Sequence, residues 1–383
     1  MLSTRFNRNL VFYLVAAFLA SFLISLALLQ LFAALLFFAW LAEKEKFKGT
    51  DELLYLVLAF GAFRLLTIFL SEYFDTSIIT IQKELLFYTT GLALFYYLKV
   101  FSREENLKLI VYFIHIGAVV ALIGVTLLSI GHVSRAQSFG SGYATFSTYL
   151  VVVMVFVLSL NKRELYFNSI LLWAIESGLI ISGIILSMGR ANIALGLVIA
   201  VIIFFVRRVS FRKIGLVILF GALFTFIPLQ FNPGESEKRI ENPTTLSDRD
   251  ILIEGFLELA DDHPFFGYGP RTFMDIFQYR DRLADKKVGS WHNEYFQIYL
   301  DSGIFTLLIF LALIFMIIYK SNWMIFRIKL MQSVSAEEFA VTWSIIAMLL
   351  SGLTGAFLFS PVLSLLFIYL ISLFSFLHYI EGD

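Results

Sequence analysis

From Leu10 to Ala42 the chain runs for 33 residues without one charged side chain, and this feature decides the solvent before any motif is considered. A helix needs about 20 apolar residues to cross the hydrocarbon core of a bilayer. The pattern recurs to the far end, interrupted by charged or Gly/Pro-containing breaks. It divides the chain into twelve segments, near 10–25, 27–42, 52–70, 78–98, 108–130, 143–160, 167–187, 191–206, 214–231, 294–319, 339–358 and 361–379. Residues 10–42 divide least cleanly, being long for one span and short for two, so two spans there require tilt or a re-entrant hairpin. Only 15% of residues are charged, against about a quarter in soluble domains. The expected fold class is therefore an all-α polytopic membrane protein of about 12 transmembrane helices.

No cleavable leader is evident, because the first apolar run leads into more membrane sequence without a small-residue cleavage pattern. Cysteine is absent, which excludes disulfides, thiolate metal sites and cysteine nucleophiles. Zero net charge gives no bulk reason to bind nucleic acid. No inverted repeat is visible, which weighs against a transporter built from two related halves.

Basic residues set the orientation. With the N-terminus inside, the inner connections hold Arg5, Arg8, Lys44, Lys46, Lys48, Lys99, Arg103, Lys108, Lys162, Arg163, Arg207, Arg208, Arg212, Lys213, Lys320, Arg327 and Lys329. The short outer connections hold only Arg135 and Arg190. Both termini are then expected to be cytoplasmic. The chain reads as helices over 1–231, a large outer loop over 232–291, and helices over 292–383.

That loop holds four of the six prolines and twelve acidic against eight basic residues, a composition suited to a folded element containing short helices. Ser247 and Asp250 form a capping-box start. Leu252, Phe256 and Leu259 then mark one apolar helical face, which should stop before His263-Pro264. A glycine-containing turn, Phe265 to Pro270, follows. Arg249 stands in the first helical turn, against the positive end of the helix dipole. Either the flanking aspartates offset it, or its guanidinium joins the free N–H groups there in an anion site. Asp248 and Asp250 also match a metal-binding tripeptide, although two acids in a first turn are common.

Other candidates lie where outer connections meet the membrane. Trp291-His292-Asn293-Glu294 precedes the tenth span, placing a histidine at the water boundary, as a general base or phosphate ligand requires. The plainer reading is an interfacial histidine beside a belt tryptophan. Asn293 and Glu294 could orient the ring. Arg190, in the tight turn Ser187 to Asn192, is costly near hydrocarbon and therefore either functional or snorkelling. Arg135 lies in the other short outer connection. Arg64 and Glu176 fall inside spans, are costly unless paired and could pair with each other, and they read as structural or as a weak proton-path signal. His115 and His378 show no companion and are assigned no role.

In order along the chain, these groups resemble the O-antigen ligase and polymerase superfamily of bacterial inner-membrane glycan transferases. The carrying segments are Gly189 to Gly196, Arg249 to Pro270 and His292 to Ile304, with a further match at Arg135 to Leu150. They cover the C-terminal two thirds of the chain, whereas the first four spans match only in hydropathy. The resemblance implies a periplasm-facing site, a multi-pass inner-membrane location and a donor glycan on undecaprenyl pyrophosphate. It further implies Arg190 and Arg249 as diphosphate-binding groups and His292 as the essential histidine. Arg135, Arg271, Asn293 and Glu294 are candidate substrate-binding residues, with Arg271 standing where the family more often has a small residue. Displacement of a lipid diphosphate needs no cofactor or metal if arginines stabilise the leaving group, and direct displacement inverts the anomeric carbon. Lipid A-core is the first acceptor reading and membrane lipid a further partner. Polymerisation onto a second lipid-linked glycan, and protein O-glycosylation, share the donor. A transporter or flippase of an anionic lipid or solute is the reading from another class.

Overall fold

The computed structural model describes residues 7–160, 169–232, 249–286 and 288–380, and among them the chain is helical without a strand. The apolar helices, each meeting one of the expected segments, are α1 (Arg8–Ser21), α2 (Leu26–Leu41), α3 (Glu52–Leu70), α4 (Ile79–Val100), α5 (Arg103–Ser129), α6 (Tyr143–Ser159), α7 (Ile170–Leu186), α8 (Arg190–Val206) and α9 (Phe211–Phe231). After the loop helix α10 (Arg249–Leu259) follow α11 (Glu294–Lys320), α12 (Ala336–Ser351) and α13 (Pro361–Ile380). Five, namely α3, α5, α9, α11 and α13, are long and apolar enough to cross a membrane, and α1, α2, α6, α7 and α8 are shorter apolar helices.

Residues 10–42 form two helices, of 14 and 16 residues, separated at Leu23, whose φ of 59° no helix tolerates. At 1.5 Å per residue each is shorter than a bilayer core of about 30 Å. Helix α6 is central: every residue from Phe146 to Leu160 is buried, and it packs on α7, α8 and α12. Helix α9 is peripheral, burying Val217, Gly221, Thr225 and Pro228 mainly against α7. Such all-round burial of one helix and one-sided burial of another is how a bundle makes a core in an apolar surrounding.

The segment between α9 and α11 has its own small core. Ile251, Leu252 and Leu259 of α10 pack with Tyr268, Phe273, Ile276, Phe277, Leu283 and Trp291, closed on the bundle side by Leu300 of α11. Phe256 stacks on Phe296 at 3.8 Å between centroids. The expected apolar face is therefore present, and α10 ends at Leu259, before His263-Pro264. Ser247 and Asp248 lie outside the described residues.

Two helices depart from expectation. Helix α11 is broken at Gly303, where φ is 74° and ψ is −178°. A Cβ there would sit 2.0 Å from the carbonyl oxygen of Phe265, so only glycine fits. Around the break, Tyr268 N–H donates to Leu300 O at 2.7 Å, Gly269 N–H to Asp301 O at 3.0 Å, and Ile304 N–H to Pro264 O at 2.8 Å. The turn after α10 thus takes over backbone groups the helix gives up, as buried irregular backbone requires. Helix α12 stops at Ser351, seven residues before the expected end at 358. The segment 352–360 is instead held from outside: Gly352 O accepts from Glu294 N–H at 2.7 Å, and Leu358 N–H donates to Glu294 Oε2 at 2.8 Å.

Arg64 and Glu176, which could have paired with each other, instead make two separate pairings. Arg64 bonds Glu84 through Nε (2.9 Å) and Nη2 (2.7 Å) and approaches Asp301 at 3.5 Å. Glu176 Oε1 lies 2.5 Å from Nδ1 of His115, which therefore has a companion after all. A bidentate carboxylate on α4 meets the planar guanidinium fork in a way that a carboxylate on α7, beside His115, does not.

Candidate active site

His292 occupies the residue before the N-cap of α11. Asn293 is that cap, its Oδ1 accepting from the N–H groups of Tyr295 (3.0 Å) and Phe296 (3.1 Å). Trp291, on the other side, is buried edge-on against Phe273 and Phe277. Between these anchors His292 adopts φ +48°, a left-handed conformation sparsely populated by residues with a Cβ and found where surrounding contacts impose it.

The ring of His292 keeps an exposed surface, while its inner side is packed. That burial lowers its pKa from the usual value, and the Arg249 charge lowers it further. A histidine displaced downward is neutral at pH 7 and able to accept a proton. Arg249 itself is half-enclosed, and burial lowers its pKa too, yet a guanidinium starts so high that it stays charged. Its Nη2 donates to the carbonyl of Thr354 at 3.2 Å. A carbonyl orients the guanidinium without neutralising it, so the full positive charge remains beside His292.

The segment 352–360 is the common floor. Arg249 bonds Thr354, Asn293 Nδ2 donates to Leu353 O at 3.3 Å, and the buried carboxylate of Glu294 ties Leu358. The structure thus gives Asn293 and Glu294 backbone-holding contacts. Arg271, in a left-handed turn of its own (φ 66°), lays its guanidinium over Phe359 at 4.2 Å. Its Nη2 is 3.9 Å from Glu84, and its buried Nε has no hydrogen-bond partner.

Arg135 and Arg190 meet at the turn between α7 and α8. Buried Arg135 donates from Nε to Ser187 O (3.2 Å) and from Nη2 to Met188 O (3.0 Å). It thereby fixes the turn whose next residues are Gly189 and Arg190, the latter half-exposed at the start of α8. The face of Arg135 stacks on Tyr143 at 3.3 Å from its centroid. Tyr143 also lies within electrostatic reach of Arg249.

Neither Tyr143 nor segment 352–360 was singled out by sequence reasoning. Tyr143 reads as an ordinary residue at a span edge, and 352–360 as the continuation of an apolar helix. A cue was available in Gly352 and Gly355, which bracket Thr354. Among the described residues no cluster of three or more His, Asp or Glu side chains is arranged to hold a metal ion. Cation-rich and carbonyl-anchored, the site is suited to binding an anion next to a neutral histidine.

Residues 175–311 match the family described as O-antigen ligase, a stretch that contains Arg190, Arg249, Arg271 and His292. No curated protein matches the chain.

Proposed function

We propose that the chain, of which residues 175–311 match the O-antigen ligase family, transfers a glycan from undecaprenyl pyrophosphate to lipid A-core on the periplasmic face of the bacterial inner membrane, with inversion and without a metal. The observation that carries this reading is the juxtaposition of Arg249 and His292 over segment 352–360. The acceptor hydroxyl attacks the anomeric carbon, forming the new C–O bond as the bond from that carbon to the phosphate oxygen breaks. His292 takes the hydroxyl proton. Arg249 and Arg190 stabilise the negative charge that collects on the departing diphosphate. Arg271, with an unused N–H donor beside the same floor, is the further phosphate contact, while Arg135 holds the turn that aims Arg190.

The test is transfer by the purified protein, given a polyprenyl-diphosphate-linked glycan with lipid A-core or with a second lipid-linked glycan. Transfer to core with release of lipid diphosphate is expected. Transfer only to the second lipid-linked glycan identifies polymerisation, and no product together with donor binding points to transport of an anionic lipid.

A further inference from the structure

A line of hydrogen bonds runs from the buried charges of the bundle to the peptide that carries His292. Gln297 lies on the inner face of α11, one turn past the N-cap and 2% exposed. Its Oε1 accepts from the backbone N–H of Trp291 at 3.1 Å, and its Nε2 donates to Asp301 Oδ1 at 2.8 Å. The other oxygen of Asp301 faces Arg64 Nη2 at 3.5 Å, and Arg64 is held on the far side by Glu84.

The chemistry of an amide makes this line directional. A carboxylate only accepts, so Asp301 forces the NH2 end of Gln297 toward itself and leaves the oxygen end for Trp291 N–H. An amide flipped the other way would set its NH2 against that N–H and its oxygen against the carboxylate. Trp291 immediately precedes the left-handed His292, whose following residue is fixed by its own capping bonds. The Trp291 N–H bond is thus the inner restraint on a backbone conformation that local preference does not supply.

We infer that Gln297 and Asp301 are positioning residues for His292, reading the buried Arg64–Glu84–Asp301 charges out to the histidine's backbone through one oriented amide. The inference rests on the proposed role of His292. Neither residue touches substrate; they set where the imidazole points relative to Arg249.

Two measurements on the full-length protein in detergent test it. The first is glycan transfer from a polyprenyl-diphosphate donor, resolved into kcat and KM. The second is the pH dependence of His292 modification by diethyl pyrocarbonate, read by mass spectrometry. Gln297→Leu keeps the side chain's bulk and removes both bonds. It should lower kcat on the order of 10- to 100-fold, as small misplacements of catalytic groups do, with donor KM changed less than about threefold.

The exchange Gln297→Glu with Asp301→Asn reverses the amide and acid along the line. The carboxylate so introduced can still accept from Trp291 N–H and from the new amide. This double variant should recover most of the kcat that Gln297→Glu alone loses. It also moves a carboxylate closer to His292, so the modification midpoint should shift to higher pH. Wild-type kcat in folded Gln297→Leu, or no recovery by the double variant over Gln297→Glu, overturns the inference. Should Gln297→Leu not fold, the comparison of Gln297→Glu with the double variant decides alone. His292→Ala separates the two levels: if it transfers normally, the functional reading itself fails, whereas an inactive His292→Ala with an unimpaired Gln297→Leu removes only the positioning role.

Discussion

Two arginine sites in this protein handle the same charge in opposite ways. Inside the bundle, Arg64 is neutralised: Glu84 takes its fork at 2.7 and 2.9 Å, Asp301 approaches at 3.5 Å, and Arg271 lies 3.9 Å from the same Glu84. At the edge of the bundle, Arg249 makes no ion pair among the described residues and is held by the carbonyl of Thr354. A carbonyl dipole fixes a guanidinium but leaves its net charge to act on something else. The inner site is built to stay as it is, whereas Arg249 keeps a net charge that the proposed function assigns to an anionic ligand. His292, beside Arg249, also holds a left-handed backbone that local preference does not supply.

The contrast breaks most visibly if the two sites are exchanged in their consequences. Replacement of His292 by Ala should reduce transfer by roughly 100- to 10,000-fold, the range for loss of a general base, while the thermal unfolding midpoint in detergent stays within about 2 °C of wild type. A large fall in midpoint would make His292 part of the scaffold. Replacement of Arg64 by Ala should do the reverse in kind, leaving Glu84 and Asp301 buried without their cation and costing about 3–5 kcal/mol of stability. Equilibrium unfolding in detergent measures it. If Arg64→Ala unfolds like wild type, the inner network is not structural and the division fails.

The positions of the apolar helices were legible because hydrocarbon demands long apolar runs whatever the tertiary contacts. The break at Gly303 was not. Asp301-Ser302-Gly303 lies inside a run that otherwise reads as one helix, and what opens it is the distant turn Pro264 to Gly269, donating and accepting at exposed backbone groups. Arg249 and His292 stood out as candidates because charged or titratable groups at a boundary require a reason. Tyr143 and segment 352–360 carry no such cost individually, and their contacts with these groups arise only from what folds against them. The pairing of Arg64 was not legible for a related reason. Sequence shows that a buried arginine needs an acid, but Glu84, Glu176 and Asp301 all fall within helices, and only packing selects among them.

A finer test of the outer site separates charge from shape. Arg249→Lys preserves the positive charge beside His292 and loses the planar fork. About a tenfold loss of kcat is expected, smaller than that of His292→Ala, with KM for the lipid-linked donor rising less than kcat falls. Loss confined to KM would mean that Arg249 binds donor and transition state equally, and the leaving-group role would be withdrawn.

The smallest expected effect concerns pH, and its sign follows from the two causes acting on His292. Burial and the Arg249 charge both lower its pKa below the ordinary value near 6.5. A base must be unprotonated, so the acid limb of kcat/KM should lie below about pH 6.5 in wild type. Stability linked to this residue has the same direction: it is present above pH 6.5 and is lost as pH falls from there toward the lowered native pKa, because the unfolded state binds the proton more readily. Arg249→Gln removes the second cause and leaves the first, so the limb should move to higher pH yet remain short of the ordinary value. A limb that does not move would show that Arg249 is too well screened to act on His292, and would place its charge wholly on the ligand side of the site.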